Sequence, residues 1–354
     1  MGFMDRLVEK AQKGPRVTII LPEYITEIQM IKSGDLKTED AVFLKAGEQA
    51  SKNGIAEIAL PTPDLLAESD IIAELGEAYD RKRAEEAEPG RKTRSLGQRM
   101  MQRNVCNLGA QLVASGYAHG VVMGKYHPTR RVIQAAELCI GEASGQIMST
   151  ISFFDLPAGI GLPAFLAYAD VAINVDPSAE ELAKVITTSV ATYRASIGEE
   201  PVVCLASHET HTGEGQYMDR AREAFEIYSK SEGAVKTIDG PCQLDAAFDA
   251  GIGKRKGALF HEAGWGMPNL VVFTNLDSAN TNYKILKLIS DSAGLRNNLC
   301  TQGLKLPVDD LSRGDSWQQV YGTITVNALK CQQLLRDGSY GDIKQLPANA
   351  VATF

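Results

Sequence analysis

The stretch "PVVCLASHETHTGEG" (residues 201–215) joins two kinds of chain: an apolar, β-branched run closing at Ser207, then a polar loop carrying His208, Thr210, His211 and Thr212 with glycines at 213 and 215. A short apolar run bounded by proline and a turn reads as a buried strand. Polar groups at the C-terminal end of a parallel strand sit where α/β proteins bind ligands. Four more runs share the form: "RVTIILP" (16–22), "AEIALP" (56–61), "GVVMG" (120–124) and "NLVVFTN" (269–275). Amphipathic stretches separate them, and that alternation predicts an α/β protein with largely parallel sheets. A helix is predicted over 178–197, with Ser178 and Glu181 at capping-box spacing and Gly198 as its stop. No internal repeat is visible.

At 354 residues the chain is longer than one ordinary domain, so two domains sharing a cleft are expected. The net charge of -8 argues against a nucleic-acid partner, whose footprint is a basic face. Cysteines 106, 139, 204, 242, 300 and 331 show no paired spacing, which fits reduced thiols in the cytoplasm better than a disulfide framework or a structural zinc site. The N-terminal "MGFMDRLVEKAQKGPRV" has no apolar signal core, its Asp5 argues against myristoylation, and no apolar run approaches the length of a membrane span. A soluble, cytoplasmic protein is expected.

Two further loops favour anions. "DDLSRGDSWQQV" (309–320) turns at Gly314 and starts a helix at Ser316, which puts the Ser312 hydroxyl, the Arg313 guanidinium and free N–H groups at a helix mouth. "MGKYHPTRR" (123–131) gathers Lys125, His127, Thr129, Arg130 and Arg131 where a strand gives way to a helix. The charge run 79–103 reads as two solvated helices around a Pro-Gly break, or as a basic lid using Arg81, Arg83, Arg91 and Arg94. His208 and His211 lack the helix-borne H-E-x-x-H pattern, so no metal site is assigned. "GIGKRKG" (251–257) reads as an exposed basic turn rather than a dinucleotide fingerprint, and neither a Walker motif nor a nucleophile elbow is present.

Four stretches taken in order, "YADVAINVDPSAEELA" (168–183), "IDGPCQLDAAF" (238–248), "NLDSANTNYKI" (275–285) and "QGLKLPVDDLSRG" (302–314), resemble the phosphate acetyltransferase and phosphate butyryltransferase family. The resemblance runs from about residue 110 to 335 and is strongest after 165. It implies two α/β domains with a cleft between them, in a fold like that of the isocitrate and isopropylmalate dehydrogenases. It also implies homodimers and acyl transfer between coenzyme A and phosphate, with coenzyme A as substrate and no permanently bound cofactor. Ser312 and Arg313 match the family's Ser-Arg pair at the phosphoryl group, where fixed donors stabilise the charge that develops as a thiolate attacks the acyl carbonyl.

Departures from the family pattern fall in the same loops. Gln319 stands where the family has an aspartate thought to take the thiol proton, and an amide cannot accept one. Pro128 and Gln134 replace a serine and a phosphate-binding arginine, with Thr129, Arg130 and Arg131 nearby; Arg81 is the nearest match to a basic motif of the first domain. His208, Glu209 and His211 enter the loop that keeps Ser207 and Thr210. Asn282 replaces a glycine beside retained Asn280, Tyr283 and Lys284, and Val171 replaces a cysteine.

Two accounts fit: an acyltransferase whose base has moved to His127, His208, His211 or Asp315, or an acyl-coenzyme A or phosphate binder without turnover that regulates a partner. A decarboxylating dehydrogenase is disfavoured, since its metal-binding aspartates and nucleotide loop are not evident. The expected domains are 1–145 with 300–354, and 146–299. The expected catalytic residues are Ser312, Arg313, His208 and His127. Ser207, Thr210, Thr129, Arg130, Arg131, Asn280, Tyr283 and Lys284 are expected to bind substrate and phosphate, with Arg81 as a lid residue.

Overall fold

A computed structural model describes residues 2–66, 69–85 and 96–351, without the side chain of residue 3. Arg91 and Arg94 of the expected lid lie outside the described residues. The chain divides into two compact units, Leu7–Glu142 with Leu304–Phe354, and Met1–Arg6 with Ala143–Gly303. The first few residues therefore go with the second unit, where the expectation had placed them in the other. One contact there spans almost the whole sequence, the Asp5 carboxylate with the Arg296 guanidinium, and the guanidinium holds the Asp5 carboxyl below the usual carboxylate range.

All five expected runs are strands: β1 (Val17–Ile20), β2 (Ala56–Ala59), β3 (Gly120–Met123), β6 (Val203–Ala206) and β8 (Leu270–Phe273). Five others join them: β4 (Ser149–Asp155), β5 (Phe165–Ala169), β7 (Ile238–Cys242), β9 (Asn297–Gln302) and β10 (Val308–Asp310). The first unit carries a wholly parallel sheet in the order β10-β3-β1-β2. The second carries a six-stranded sheet in the order β7-β6-β8-β5-β4-β9, parallel from β7 to β5 and antiparallel across β4 and β9. β7 and β10 escape a period-based reading because Asp239, Pro241, Asp309 and Asp310 interrupt the apolar pattern. β1, β3, β6 and β8 are buried almost throughout, as strands of a parallel sheet covered on both faces must be.

The helix Ala179–Ile197 begins with the reciprocal Ser178–Glu181 cap and ends at Gly198 in the left-handed conformation. "GIGKRKG" corrects an expectation: residues Ala250–Lys256 form a helix capped by the Asp249 side chain, and Gly257 at φ 77° ends it. Its two inner glycines read as turn signals, but a cap at each end supplies the groups that a short helix needs.

Candidate active site

In the first unit, chain order reverses between β1 and β3, since β2 lies on the far side of β1. Such a reversal leaves a crevice at the carboxyl ends of the strands where α/β sheets bind ligands. Three loops leave that edge, after β1, β3 and β10.

Glu23 follows β1 and is wholly buried. Its Oε2 accepts the N–H groups of Gly124 at 2.6 Å and Lys125 at 2.9 Å, and its Oε1 accepts that of Tyr126 at 3.2 Å and meets His127 Nδ1. One carboxylate thus fixes the whole loop after β3. Gly124 adopts φ 104°, and a Cβ there would stand 2.1 Å from Asp310 Oδ1 and 2.8 Å from the Leu311 nitrogen. Glycine is what lets the β3 and β10 loops touch.

The Ser312–Arg313 loop is a closed turn. Asp315 Oδ2 accepts the Ser312 N–H at 2.8 Å, while the Asp315 N–H donates to the Ser312 carbonyl at 2.9 Å. The Lys125 ammonium donates at 2.7 Å to the carbonyls of both Arg313 and Asp315, and burial pushes its pKa down. Lys125 therefore staples two loops together. Ser312 is half-buried and the Arg313 side chain is exposed. The helix Trp317–Arg336 starts behind them, where Ser316 Oγ accepts the Gln319 N–H and Gln319 Oε1 accepts the Ser316 N–H at 2.8 Å. Gln319 is thus half of a capping box.

Asp310, at the end of β10, is almost wholly buried, and burial pushes its carboxyl up to about 7. A hydrogen bond with Thr129 lowers it, while Glu23, Asp315 and Asp309 raise it further. Thr129, Arg130 and Arg131 are exposed on the first turn of the helix Thr129–Cys139. Arg81 is exposed on the helix Ile71–Glu85, whereas Arg83 lies against Asp80 and the Tyr79 ring.

The second unit has its own order reversal between β6 and β8. A cavity of about 250 Å³ opens at their carboxyl ends, floored by Ala206, Leu244 and Phe273 and rimmed by Ser207, His208, Tyr217, Thr274, Asn275, Ser278 and Asn282. Of the residues expected on this unit, Ser207 and His208 line the cavity. Thr210 is buried, and its Oγ1 accepts the Gln243 N–H at 3.2 Å. His211 turns away to Asp239, Nε2 to Oδ1 at 2.8 Å, so the two loop histidines serve different places. Asn280 donates to the Val171 carbonyl at 2.9 Å, Tyr283 packs its ring 5.9 Å from that of Phe154, and Lys284 lies over Tyr283. Asn280 and Tyr283 brace the helix Leu276–Ser292, Lys284 is exposed, and the residues of this helix that line the cavity are Ser278 and Asn282, with Asn275 at its cap.

Glu23, Asp310 and Asp239 are the groups that the sequence reading passed over. Each stands inside or just after a parallel strand, the signal that singled out Ser207 and Ser312. Among the described residues, Glu23, Cys106 and His127 bring one potential metal-ligand atom each within 4.8 Å of the others. The donor set fits a metal poorly. Both Glu23 oxygens already accept backbone N–H groups, and burial, with Glu23 next, pushes the Cys106 thiol up to about 12. A thiol must be deprotonated to ligate.

The description "Phosphate acetyl/butaryl transferase" belongs to the family model that matches residues 3–328. A phosphate acetyltransferase of Thermoanaerobacterium thermosaccharolyticum is 28% identical over 353 residues, covering 94% of this chain and 100% of that protein. One of Escherichia coli is 30% identical over 338 residues, and there the match spans 45% of the relative's length. A phosphotransacetylase structure from Streptococcus pyogenes superposes with a TM-score of 0.76 at 24% identity, over 94% of this chain and 100% of that one. The EutD phosphotransacetylase of Staphylococcus aureus gives 0.73 at 24% identity, over 93% of this chain and 99% of that one, so the fold is shared. With a family match running through both units, this chain belongs to the phosphate acetyl/butaryl transferase family.

Proposed function

We propose that the chain moves a short acyl group between coenzyme A and inorganic phosphate, acyl-coenzyme A plus phosphate giving acyl phosphate plus coenzyme A. The observation that carries this reading is the Ser312–Arg313 turn, held at a helix mouth on a strand-order reversal by Asp315 and Lys125. A hydroxyl and a guanidinium on a rigid turn suit a phosphoryl group and the oxyanion that forms beside it, an arrangement worth about 10²- to 10³-fold per donor. Thr129, Arg130 and Arg131 add phosphate contacts and Arg81 closes over the ligand, while Ser207 and His208 line the second unit's own cavity. The dehydrogenase-like naming of the fold belongs to this reading.

No cofactor stays bound, and coenzyme A is a substrate. The protein works in the cytoplasm, which suits six free, buried cysteines. It is a homodimer, supported by the exposed stripe Ile285, Leu288 and Ile289 on the helix Leu276–Ser292. Among the described residues no helix is long and apolar enough to cross a membrane.

The test is thioester formation from coenzyme A and acetyl or butyryl phosphate. Native turnover with loss in Arg313→Ala supports the site, whereas full activity of Arg313→Ala overturns it.

A further inference from the structure

We propose that His127 is the base that takes the coenzyme A thiol proton, with Glu23 as its positioning residue. This inference rests on the acyl-transfer reading and deepens it. The need is chemical: Gln319 is an amide, and its side chain is committed to the helix cap. Asp315 uses a carboxylate oxygen on the Ser312 N–H, and His208 and His211 belong to the second unit, whereas His127 shares its unit with the Ser-Arg turn.

His127 has the geometry of a base. Glu23 accepts three backbone N–H groups through its two oxygens, and with Nδ1 as the ring atom that meets Oε1, an Nδ1–H donor there leaves the Nε2 lone pair for a substrate. The Glu23 side chain is 0% exposed while that of His127 is 20% exposed, a buried anion behind a reachable ring. That pairing holds the tautomer and stabilises the imidazolium that forms. The residues two before and two after His127 both reach the 310–315 segment, Lys125 through the Arg313 and Asp315 carbonyls and Thr129 through Asp310. The ring is therefore anchored beside the Ser-Arg turn within one unit. Around the pair stand Cys106, Arg131, Asp310 and Glu27.

The step balances without a further reactant. Nε2 takes the S–H proton as sulfur attacks the acyl carbonyl carbon of the acyl phosphate. The C–S bond forms, the C–O bond to phosphorus breaks on that carbon, and the proton passes from His127 to the departing phosphate.

The experiment measures thioester formation from coenzyme A and acetyl phosphate against pH in the native chain and in His127→Gln, His127→Ala, Glu23→Gln and Cys106→Ser. Expected are a kcat loss of about 10²- to 10⁴-fold in His127→Gln with KM values near native, disappearance of the acid limb of its pH profile, and partial rescue of His127→Ala by added imidazole. Glu23→Gln shifts the acid limb, and Cys106→Ser keeps its turnover. A native-like rate and pH profile in a folded His127→Gln, beside an active native chain, overturns the assignment and leaves the acyl-transfer reading standing. Activity abolished by a chelator and equally by Cys106→Ser also overturns it, in favour of a metal at these three groups. A native chain without turnover overturns the acyl-transfer reading and the base with it.

Discussion

Lys125 donates its ammonium to the backbone carbonyl of Arg313 at 2.7 Å, across 188 positions of sequence. A cation expected to meet the ligand is instead holding the turn that presents the ligand's other contacts. Replacing it with Met keeps the length and removes the donors. We expect the KM for phosphate to rise by about tenfold or more, since a charged hydrogen bond is worth about 1.5–3 kcal/mol and each 1.4 kcal/mol is tenfold. Initial rates against phosphate concentration check this, and an unchanged KM would show that the turn stands without the staple.

Gln319 is expected to matter for stability rather than chemistry. Gln319→Ala removes the acceptor for the Ser316 N–H and should cost about 1 kcal/mol in urea unfolding. Gln319→Glu should lose little, because a capping box takes either residue. Equal stability of all three chains would contradict the cap.

Asp310 should make stability fall as pH rises. Its folded carboxyl titrates at about 7, against a reference of 3.8, so between those values the folded chain holds a proton that the unfolded chain has released. Stability then drops by about 1.4 kcal/mol for each pH unit across the window. Asp310→Asn keeps a neutral, hydrogen-bonding side chain and should flatten that slope. Thermal unfolding from pH 4 to pH 8 reads the difference, and parallel curves for the two chains would refute it.

Asp239 is a structural anchor of the second unit. It is 2% exposed and accepts His211 Nε2 at 2.8 Å, the Gly240 N–H at 2.9 Å and the Leu259 N–H at 2.8 Å. Asp239→Ala leaves those donors without an acceptor and should destabilise on the order of 3 kcal/mol or more. Chemical denaturation measures it, and a loss below the effect of Gln319→Ala would deny the anchor.

Legibility in the sequence followed range. The Ser178–Glu181 cap could be read because it joins residues three apart, and β1, β2, β3, β6 and β8 announced themselves as apolar runs. The motif makes Asn280 and Tyr283 pocket residues, while the helix packs them inward and shows Ser278 and Asn282 to the cavity. All four lie in one short stretch, and letters do not say which face a neighbouring sheet will cover.

By itself the sequence determined the alternation of strands and helices, the Ser178–Glu181 capping box, the helix start at Ser316, the Ser-Arg turn and the family motifs, because each is a pattern within a few residues or a stretch long enough to be specific. Only the tertiary structure decided which charges hold backbone and which face outward. Glu23 reaches His127 across 104 positions, and Asp5 reaches Arg296 across 291. The raised pKa of Asp310 likewise comes from burial, with the Glu23, Asp315 and Asp309 carboxylates adding to it. Burial and charge proximity arise from the folded neighbourhood, so no local pattern encodes them.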